Sequence, residues 1–410
     1  MEIIKNDIKE YVKENDIKFI RLAFCDVYGN LKNLSIMSDE LENAFNNGVP
    51  FDASSVQGFL NEEESDLYLF PDASTVALLP WRPSNGRVVR FFCDIKRGGQ
   101  EDFEDGRMLL KKAQQKAEQM GLHLHFSASC EFYLFKKDED GKPTLEPFDY
   151  GGYLDMAPQD KGENIRREIC LILEQMGIKP KTSHHEHGPG QNEIEFEKSN
   201  ALNCADNITT FKYVVSTVAD RNGLYACFLP KPLSDKSGTA LQINMSLYEN
   251  GKNLFNKANF NEKAQSFIAG ILNRIPDMTL FLNSHESSYQ RFGYFRAPKY
   301  ISWSTKNVSQ LLRLSWDQEE NSKIQIRSAD MMCNPYLVFT LLINAGLEGI
   351  QKGLQLSPAV DTIVTQTYAK ANGIKELPSN IQEAEEIAAN SEFVKEVLPQ
   401  RLIKAFIPKR

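Results

Sequence analysis

Four short segments of the chain alternate polar and apolar residues with a period of two, and this pattern constrains the fold more than any other feature. They are 129–135 (SCEFYLF), 191–197 (QNEIEFE), 240–248 (ALQINMSLY) and 322–328 (SKIQIRS). A period of two gives a strand one polar and one apolar face. One such segment fits a half-solvated strand, but the four together predict an antiparallel sheet whose polar side lines a cavity.

Length and composition favour a globular protein of two domains. The chain has 410 residues, 41% of them hydrophobic, which is enough apolar surface for large cores. The formal net charge of −8 argues against nucleic-acid and anionic-membrane partners. The start of the chain is charged throughout, no run approaches a membrane span, and the seven cysteines include no CxxC pair, so we expect a cytoplasmic protein.

Local signals predict a mixed α+β fold with a boundary near residue 100. The stretch 96–106 is polar and rich in turn-forming residues, so we divide the chain into domains 1–100 and 101–410. A turn at Tyr28-Gly29-Asn30 separates two predicted strands in the first domain. Further predictions are helices over Ile8–Glu14, 107–120 and 160–176, a strand over 88–95, and a helix that begins at Pro335 behind the N-cap Asn334.

Residues 184–197 (HHEHGPGQNEIEFE) concentrate three of the six histidines of the chain beside four glutamates. The residues alone leave three interpretations open: a metal site, an acid/base cluster or a polar surface hairpin. Strand periodicity puts Glu193, Glu195 and Glu197 on one face. Three carboxylates on one face repel one another, which favours a compensating cation or basic side chains nearby.

At these residues the chain resembles a type I glutamine synthetase of Gram-positive bacteria, over nearly its whole length. The resemblance implies a small N-terminal β-grasp domain, a large catalytic domain on an antiparallel sheet, and hexameric rings with active sites between subunits. It also implies ATP-dependent joining of glutamate and ammonia through γ-glutamyl phosphate, with divalent cations that screen the two anionic reactants. The matching motifs are PFDASSVQGF (50–59), ESDLYLFPD (64–72), EFYLF (131–135), GGYLDMAP (151–158), SHHEHGPGQNEIEF (183–196), FLPKPL (228–233), SSYQRF (287–292), APKYISWS (297–304) and RSADMMCNPYL (327–337).

The resemblance assigns roles to residues on the glutamate side and on the nucleotide side. A first Mg²⁺ or Mn²⁺ would be held by Glu131, Glu186 and Glu193, which supply the oxygen ligands that such cations prefer. The ammonium pocket would consist of Asp52, Tyr153 and Glu186. Arginine forks suit glutamate carboxylates. The substrate-binding residues would be Gly238, Arg291 and Arg327, and the nucleotide-side residues would be Ser246, Arg313 and Lys323.

The sequence departs from the family pattern on the phosphate side. The three positions that correspond to the ligands of a second cation hold Ser129, Gln242 and Gln325, none of which is charged. Arg296 stands where the family has a glutamate in a flap over the substrate, so a base is replaced by a permanent cation. Val308 replaces a phosphate-side arginine, and the chain ends at 402–410 (LIKAFIPKR), with a shortened tail.

Two hypotheses follow from this pattern. The first is a binding or regulatory homologue that keeps a pocket for glutamate, glutamine or a related amino acid, holds one cation, binds ATP weakly and is catalytically impaired. The alternative is an active ATP-dependent glutamate–ammonia or glutamate–amine ligase. We expect a homo-oligomer, a hexameric ring that could stack, or a mixed ring with a true synthetase, and no nucleic-acid or membrane partner.

Overall fold

A computed structural model describes residues 2–59, 65–98, 101–316 and 321–407. Two sheets organise this part of the chain, and the predicted α+β fold class is confirmed. None of the helices in the described ranges combines the length and apolar character needed to cross a membrane. The helices are α1 (Glu2–Glu14), α2 (Leu41–Asn47), α3 (Gly106–Gln119), α4 (Glu163–Gln175), α5 (Ala201–Arg221), α6 (Glu262–Leu282), α7 (Pro335–Lys352), α8 (Gln366–Asn372), α9 (Ile381–Asn390), α10 (Glu392–Val397) and α11 (Gln400–Phe406).

The small sheet has the order β2-β1-β6-β4-β3, with β5 and β7 attached to β6. The strands β1 and β6 run parallel and the other pairs run antiparallel. Its turn after β1 is built by Asp26, whose Oδ1 accepts hydrogen bonds from the backbone of Tyr28 and Asn30, while Gly29 supplies a φ of +79°. The strands are β1 (Ile17–Cys25), β2 (Leu31–Met37), β3 (Val49–Asp52), β4 (Asp66–Pro71), β5 (Ala77–Leu78), β6 (Arg87–Arg97) and β7 (Glu101–Asp102).

The large sheet has the order β10-β11-β8-β14-β18-β17-β16, and all of its pairs are antiparallel except β16 with β17. The alternating segments found in the sequence form β8, β11, β14 and β18, which are adjacent in this order. Its strands are β8 (Leu122–Lys137), β9 (Pro143–Pro147), β10 (Pro180–His185), β11 (Gln191–Phe196), β12 (Ser199–Asn200), β13 (Leu224–Cys227), β14 (Leu241–Glu249), β15 (Lys252–Asn253), β16 (Trp303–Ser304), β17 (Leu312–Ser315) and β18 (Lys323–Ile326).

The apolar face of the large sheet forms the main hydrophobic core. Alternate residues of β8, such as Phe126, Cys130 and Phe132, are fully buried in one cluster with the apolar sides of α5, α6 and α7. The helix α7 begins as its sequence predicts, because the Asn334 side chain accepts a hydrogen bond from the backbone N–H of Tyr336. Burial of one face against helices leaves the polar face of the sheet free to form a site.

A buried ionic cluster, which we call the junction cluster, joins the small sheet to the helices of the large domain. The Arg107 guanidinium in α3 lies 2.9 Å from Asp72, 2.7 Å from Asp94 and 3.1 Å from Asp206. The Tyr336 hydroxyl donates a 2.6 Å hydrogen bond to Asp206. Asp72 and Asp94 belong to the small sheet and its loops, whereas Arg107, Asp206 and Tyr336 lie on helices of the large domain. The cluster therefore fixes the position of the small sheet relative to the large domain.

Candidate active site

A cavity of about 320 Å³ lies over the polar face of the large sheet. The facing registers of the strands bring its floor together: Glu193 is opposite Glu131, and Gln242 is opposite Ser129. Most residues proposed from the sequence line this cavity. They are Ser129, Glu131, Tyr153, Glu186, Glu193, Gly238, Gln242, Arg291, Arg296, Val308, Arg313, Gln325 and Arg327.

Three predicted site residues lie elsewhere. Asp52 is exposed at the end of β3, where its carboxylate accepts hydrogen bonds from the backbone and side chain of Ser54. Ser246 and Lys323 line a separate cavity of about 350 Å³ on the same polar face, next to Glu195, which borders both cavities. Within one chain, therefore, the structure separates Asp52 from the other proposed ammonium-pocket residues.

Glu131 is the most completely enclosed carboxylate of the floor. Its Oε2 accepts hydrogen bonds from the Gln191 side chain at 3.0 Å and from the Ala240 backbone N–H at 2.9 Å. Burial, together with the neighbouring Glu186 and Glu193, raises the pKa of Glu131 to about 8. Three acidic groups this close favour a bound cation, because a cation would offset the repulsion among their charges.

His184 joins this acidic group, although the sequence analysis gave it no individual role. Its Nε2 lies 3.4 Å from Glu193 and its Nδ1 lies 3.7 Å from Glu186. The contact with Glu193 raises the pKa of His184 to about 9. His184 lies opposite Glu193 in the pairing of β10 with β11, and this register becomes visible only in the structure.

These residues fit a divalent cation. One ligand atom from each of His184, Glu186 and Glu193 lies within 4.8 Å of the other two. The Gln242 amide donates hydrogen bonds to both Glu193 and Glu131, and this keeps the Glu131 carboxylate beside these three residues. Carboxylate oxygens with an optional imidazole suit Mg²⁺ or Mn²⁺. A cation would also displace the proton from His184, since a ligating imidazole must be neutral.

The residues at the second-cation positions do not fit a cation. The Nη1 of Arg327 donates to Gln242 Oε1 at 3.0 Å and to Gln325 Oε1 at 2.8 Å. The Gln325 amide then donates to Asn244, and the Gln242 amide donates to Glu131 and Glu193. Both amide oxygens already accept from a positively charged group, so this position repels a second cation. We call Gln242, Gln325 and Arg327 the amide–guanidinium clasp.

Arg291 is held rigidly at the other end of the cavity. It is 3% exposed, and its guanidinium donates to the backbone carbonyls of Ser328 and Ala329 and lies 3.5 Å from Asp330. Gly238 packs against it: a Cβ at position 238 would lie 2.4 Å from the carbonyl oxygen of Pro230 and 2.7 Å from Cγ of Arg291. Only glycine therefore permits this approach of the loop to the arginine.

The entrance of the cavity carries exposed aromatic rings and a strained segment. Tyr153 stacks on His187 with ring centroids 4.6 Å apart. Phe295 and Arg296 have φ values of +47° and +65°, in the left-handed region that ordinary residues rarely adopt. Such strain is characteristic of functional segments. Arg296 is exposed and lines the cavity, so the charge of this segment faces any ligand that enters.

A buried histidine behind the site was also missed by sequence reasoning. Both ring nitrogens of His185 face acceptors: Nε2 is 2.8 Å from Asp149 and Nδ1 is 2.7 Å from the backbone carbonyl of Glu186. Burial opposes its charge, but Asp149 outweighs burial and raises the pKa of His185. The His185–Asp149 pair fixes the backbone at Glu186. No local sequence pattern links His185 to Asp149, because the two residues are far apart in the sequence.

Comparisons with known proteins identify the family. The glutamine synthetase β-grasp domain matches residues 16–98, and the glutamine synthetase catalytic domain matches residues 103–410. A protein of Clostridium saccharobutylicum named glutamine synthetase is 42% identical over 96% of this chain and 91% of its own length. One of Methanosarcina mazei with the same name is 41% identical over 98% of this chain and 92% of its own.

A solved structure described as a GmaS–ADP complex has a TM-score of 0.86 at 24% identity, covering 97% of this chain and 93% of its own. At that identity the likeness supports the fold alone. The names of the two sequence relatives favour the ligase hypothesis over the impaired homologue, because nothing in the comparisons indicates a loss of activity or a degenerate metal site. With both domain models matched in order along the chain, this protein belongs to the glutamine synthetase family of ligases.

Proposed function

We propose that this chain binds glutamate, glutamine or a related amino acid in the main cavity but joins it to ammonia poorly, and so acts as a ligand-binding or regulatory homologue. The observation that supports this is the amide–guanidinium clasp, in which Arg327 lies 3.0 and 2.8 Å from the two glutamine oxygens. It puts an arginine between two residues that the family pattern assigns to a second cation. The glutamate side of the cavity, by contrast, keeps the residue types of the family.

Phosphoryl transfer to a carboxylate brings two anions together, so its rate depends on positive charge arranged between them. One cation held by Glu131, Glu186 and Glu193 would supply part of that charge when bound. Loss of one preorganised electrostatic group costs ~10²–10³ in rate, and grouped losses are not additive. We therefore expect a deficit of at least ~10⁴ relative to an intact synthetase, from those per-group costs.

The remaining residues have definable tasks in this proposal. Arg291 is fixed by backbone carbonyls and presents a guanidinium to the α-carboxylate of the ligand. Glu186 and Tyr153 line the same cavity and would receive the ammonium ion. Ser246 and Lys323, in the second cavity, would contact a weakly bound nucleotide.

The proposal includes a ring-shaped assembly. Asp52 lies outside the cavity of its own chain, so it can complete an ammonium pocket only in a neighbouring subunit. We propose a hexameric ring, or a mixed ring with a true synthetase. Light scattering of the purified chain should give the mass of six subunits, whereas a monomer at micromolar concentration would contradict this part.

A second candidate function is an active glutamate–ammonia or glutamate–amine ligase. The 42% and 41% identity to proteins named glutamine synthetase favours it. Both candidates use the same cavity, and they differ only in turnover.

One assay separates the two functions. ADP release is measured with ATP, Mg²⁺, L-glutamate and either ammonia or a panel of amines, alongside calorimetric titration with L-glutamate and L-glutamine. The proposal expects amino-acid binding with negligible ADP release. ADP release at the rate of an ordinary synthetase would establish the ligase instead, and an absence of binding to either amino acid would contradict the proposal.

A further inference from the structure

Two connecting segments meet at the buried His185–Asp149 pair, and each of them carries one residue assigned to the ammonium pocket. Tyr153 belongs to the loop between β9 and α4, and Glu186 belongs to the turn between β10 and β11. The His185 side chain is 0% exposed and that of Asp149 is 1% exposed, so their contacts are shielded from water. The pair is therefore in a position to hold the two segments together.

The Asp149 carboxylate binds backbone groups of both segments. Its Oδ1 accepts hydrogen bonds from the N–H of Gly190, in the β10–β11 turn, at 2.9 Å and from that of Gly151, in its own loop, at 3.2 Å. Its Oδ2 accepts a hydrogen bond from the N–H of Lys161 at 3.1 Å, near the other end of the loop. One buried carboxylate thus closes the β9–α4 loop on itself and attaches it to the β10–β11 turn.

His185 adds contacts directly beside both pocket residues. Its Nδ1 lies 2.7 Å from the backbone carbonyl of Glu186, and its own backbone carbonyl accepts a hydrogen bond from the N–H of Leu154 at 3.1 Å. Leu154 follows Tyr153 in the chain and has a φ of +62°, in the left-handed region. Such a backbone persists only where the surrounding structure holds it, so the position of Tyr153 depends on this contact with His185.

A cation bound at the pair itself is the competing explanation. One ligand atom from each of Asp149, Asp160 and His185 lies within 4.8 Å of the other two. Asp160, however, forms an ion pair with the Arg166 guanidinium, which already supplies a positive charge there. Both ring nitrogens of His185 are also engaged, by Asp149 and by a backbone carbonyl. The group resembles the junction cluster in being internally paired, and this favours a role in holding structure.

We propose that Asp149 and His185 are positioning residues, which together hold Tyr153 and Glu186 in place for a divalent cation and for ammonium. The inference rests on the proposed function, which assigns Tyr153 and Glu186 to the cavity. Loss of a group that orients a metal ligand typically lowers metal affinity by about 10–100-fold. Arg291 is held by backbone carbonyls at the other end of the cavity, so the amino-acid end keeps its geometry when the pair is changed.

Calorimetric titration of the purified protein with Mn²⁺ tests this, with His185→Gln and His185→Asn as variants. The amide nitrogen of glutamine can take the place of Nε2 and keep the contact with Asp149. The amide nitrogen of asparagine can take the place of Nδ1 and keep the contact with the Glu186 carbonyl. Because each variant loses one of the two contacts, we expect each to weaken Mn²⁺ binding by about 10–100-fold. L-Glutamate titrated in excess EDTA should bind both variants as it binds the parent chain.

His123→Gln, which changes an exposed histidine on β8, is the matched control and should bind Mn²⁺ like the parent chain. Thermal unfolding shows whether the variants fold. If both His185 variants fail to fold, Gly151→Ala keeps the test available. Its Cβ would lie 3.0 Å from Nε2 of His185, so it crowds the pair without removing a contact and should still weaken Mn²⁺ binding.

Mn²⁺ affinity at the parent level in the folded variants would overturn the inference. An equal loss of glutamate binding in EDTA would also overturn it, because that result indicates a general loosening of the cavity. A parent chain that does not bind Mn²⁺ has no cation site for the pair to support, and would overturn it as well. If neither glutamate nor glutamine binds the parent chain, the proposed function is wrong, and the Mn²⁺ comparison still decides the inference.

Discussion

The junction cluster and the cavity floor are both buried groups of charges, but only the first is complete in itself. Arg107 contacts Asp72, Asp94 and Asp206, so each of these four charges has an opposite partner. On the cavity floor, Glu131 holds a raised pKa and Arg313 has no partner among the described residues. A complete network supports the fold, whereas an incomplete one leaves charge for a ligand to satisfy.

This difference also explains why the two clusters tolerate different changes. Removal of one charge from a fully paired buried network leaves its partners without compensation, which destabilises the folded chain. Removal of a charge from an incomplete site can leave stability unaffected while it changes what binds there. Substitutions in the cavity should therefore act on ligands, and substitutions at the junction should act on folding.

The largest expected effect comes from rebuilding the second-cation position. Ser129→Glu, Gln242→His and Gln325→Glu together remove the clasp and supply three ligands for a divalent cation. We expect ADP release with glutamate and ammonia to rise by at least ~10², the rate cost of one preorganised electrostatic group. A further Arg296→Glu change should increase the use of ammonia, because it supplies a base.

The matched control for that variant is Gln242→Asn, which shortens the amide without adding a charge. It should leave ADP release at the parent level. Manganese-dependent anomalous scattering from crystals of the rebuilt variant should show two cation peaks in each cavity, and the parent chain should show one. Two peaks in the parent would mean that the clasp does not exclude a cation.

At the junction, Arg107→Met should destabilise the chain by about 3–5 kcal/mol, the usual cost of removing one partner from a buried ion pair. Asp206 would then lose its ion pair, and Asp72 and Asp94 would keep only their contacts with Lys111, at 3.7 and 2.5 Å. Urea unfolding measures the change, and Arg82→Met provides an exposed arginine as control. A loss below about 1 kcal/mol, the level of a surface pair, would show that the junction cluster does not support the fold.

The sequence predicted the faces of the strands better than the contacts between them. Alternation in β8, β11, β14 and β18 is local, so the polar residues could be assigned to one side before the structure was known. The pairing of Glu193 with Glu131 and of Gln242 with Ser129 depends on how segments far apart in the sequence align. Register is set by tertiary packing, and a local pattern cannot supply it.

The same limit explains the residues that were missed or displaced. His184 and His185 were noticed only as part of a histidine-rich stretch, because their partners Glu193 and Asp149 are distant or in another element. Ser246 was predicted on the nucleotide side, and only the structure puts it in a separate cavity. The clasp was not foreseen, since nothing in the sequence indicates that Arg327 contacts the two glutamines.

A smaller effect is expected at Gly238, which tests whether Arg291 must be held in place. Gly238→Ala would put a Cβ 2.4 Å from a backbone oxygen and 2.7 Å from Arg291, so the loop or the arginine must shift. Overpacking costs ~1–3 kcal/mol, and we expect glutamate affinity to fall by about tenfold. Calorimetry measures the affinity, and unchanged affinity with unchanged stability would indicate that Arg291 does not contact the ligand.

The smallest expected effect concerns Asp105, a buried carboxylate at the start of α3 beside the junction cluster. Its side chain accepts a hydrogen bond from the backbone N–H of Met108 at 3.0 Å and so caps the helix. Burial raises the pKa of Asp105 from its ordinary value of 3.8 to about 6. The folded state therefore holds the proton more tightly than the unfolded state, and stability falls as pH rises from about 4 to 6.

Asp105→Asn keeps a capping oxygen and removes the buried charge. Above pH 6 the variant should be more stable than the parent by on the order of 1–2 kcal/mol, and near pH 4 the two chains should have equal stability. Urea unfolding at both pH values isolates this carboxylate, because every other titrating group is common to the two chains. If the variant is instead less stable above pH 6, the ionised Asp105 carboxylate stabilises the fold. Asp105 would then be a further acidic member of the junction cluster, beside the three aspartates that Arg107 contacts.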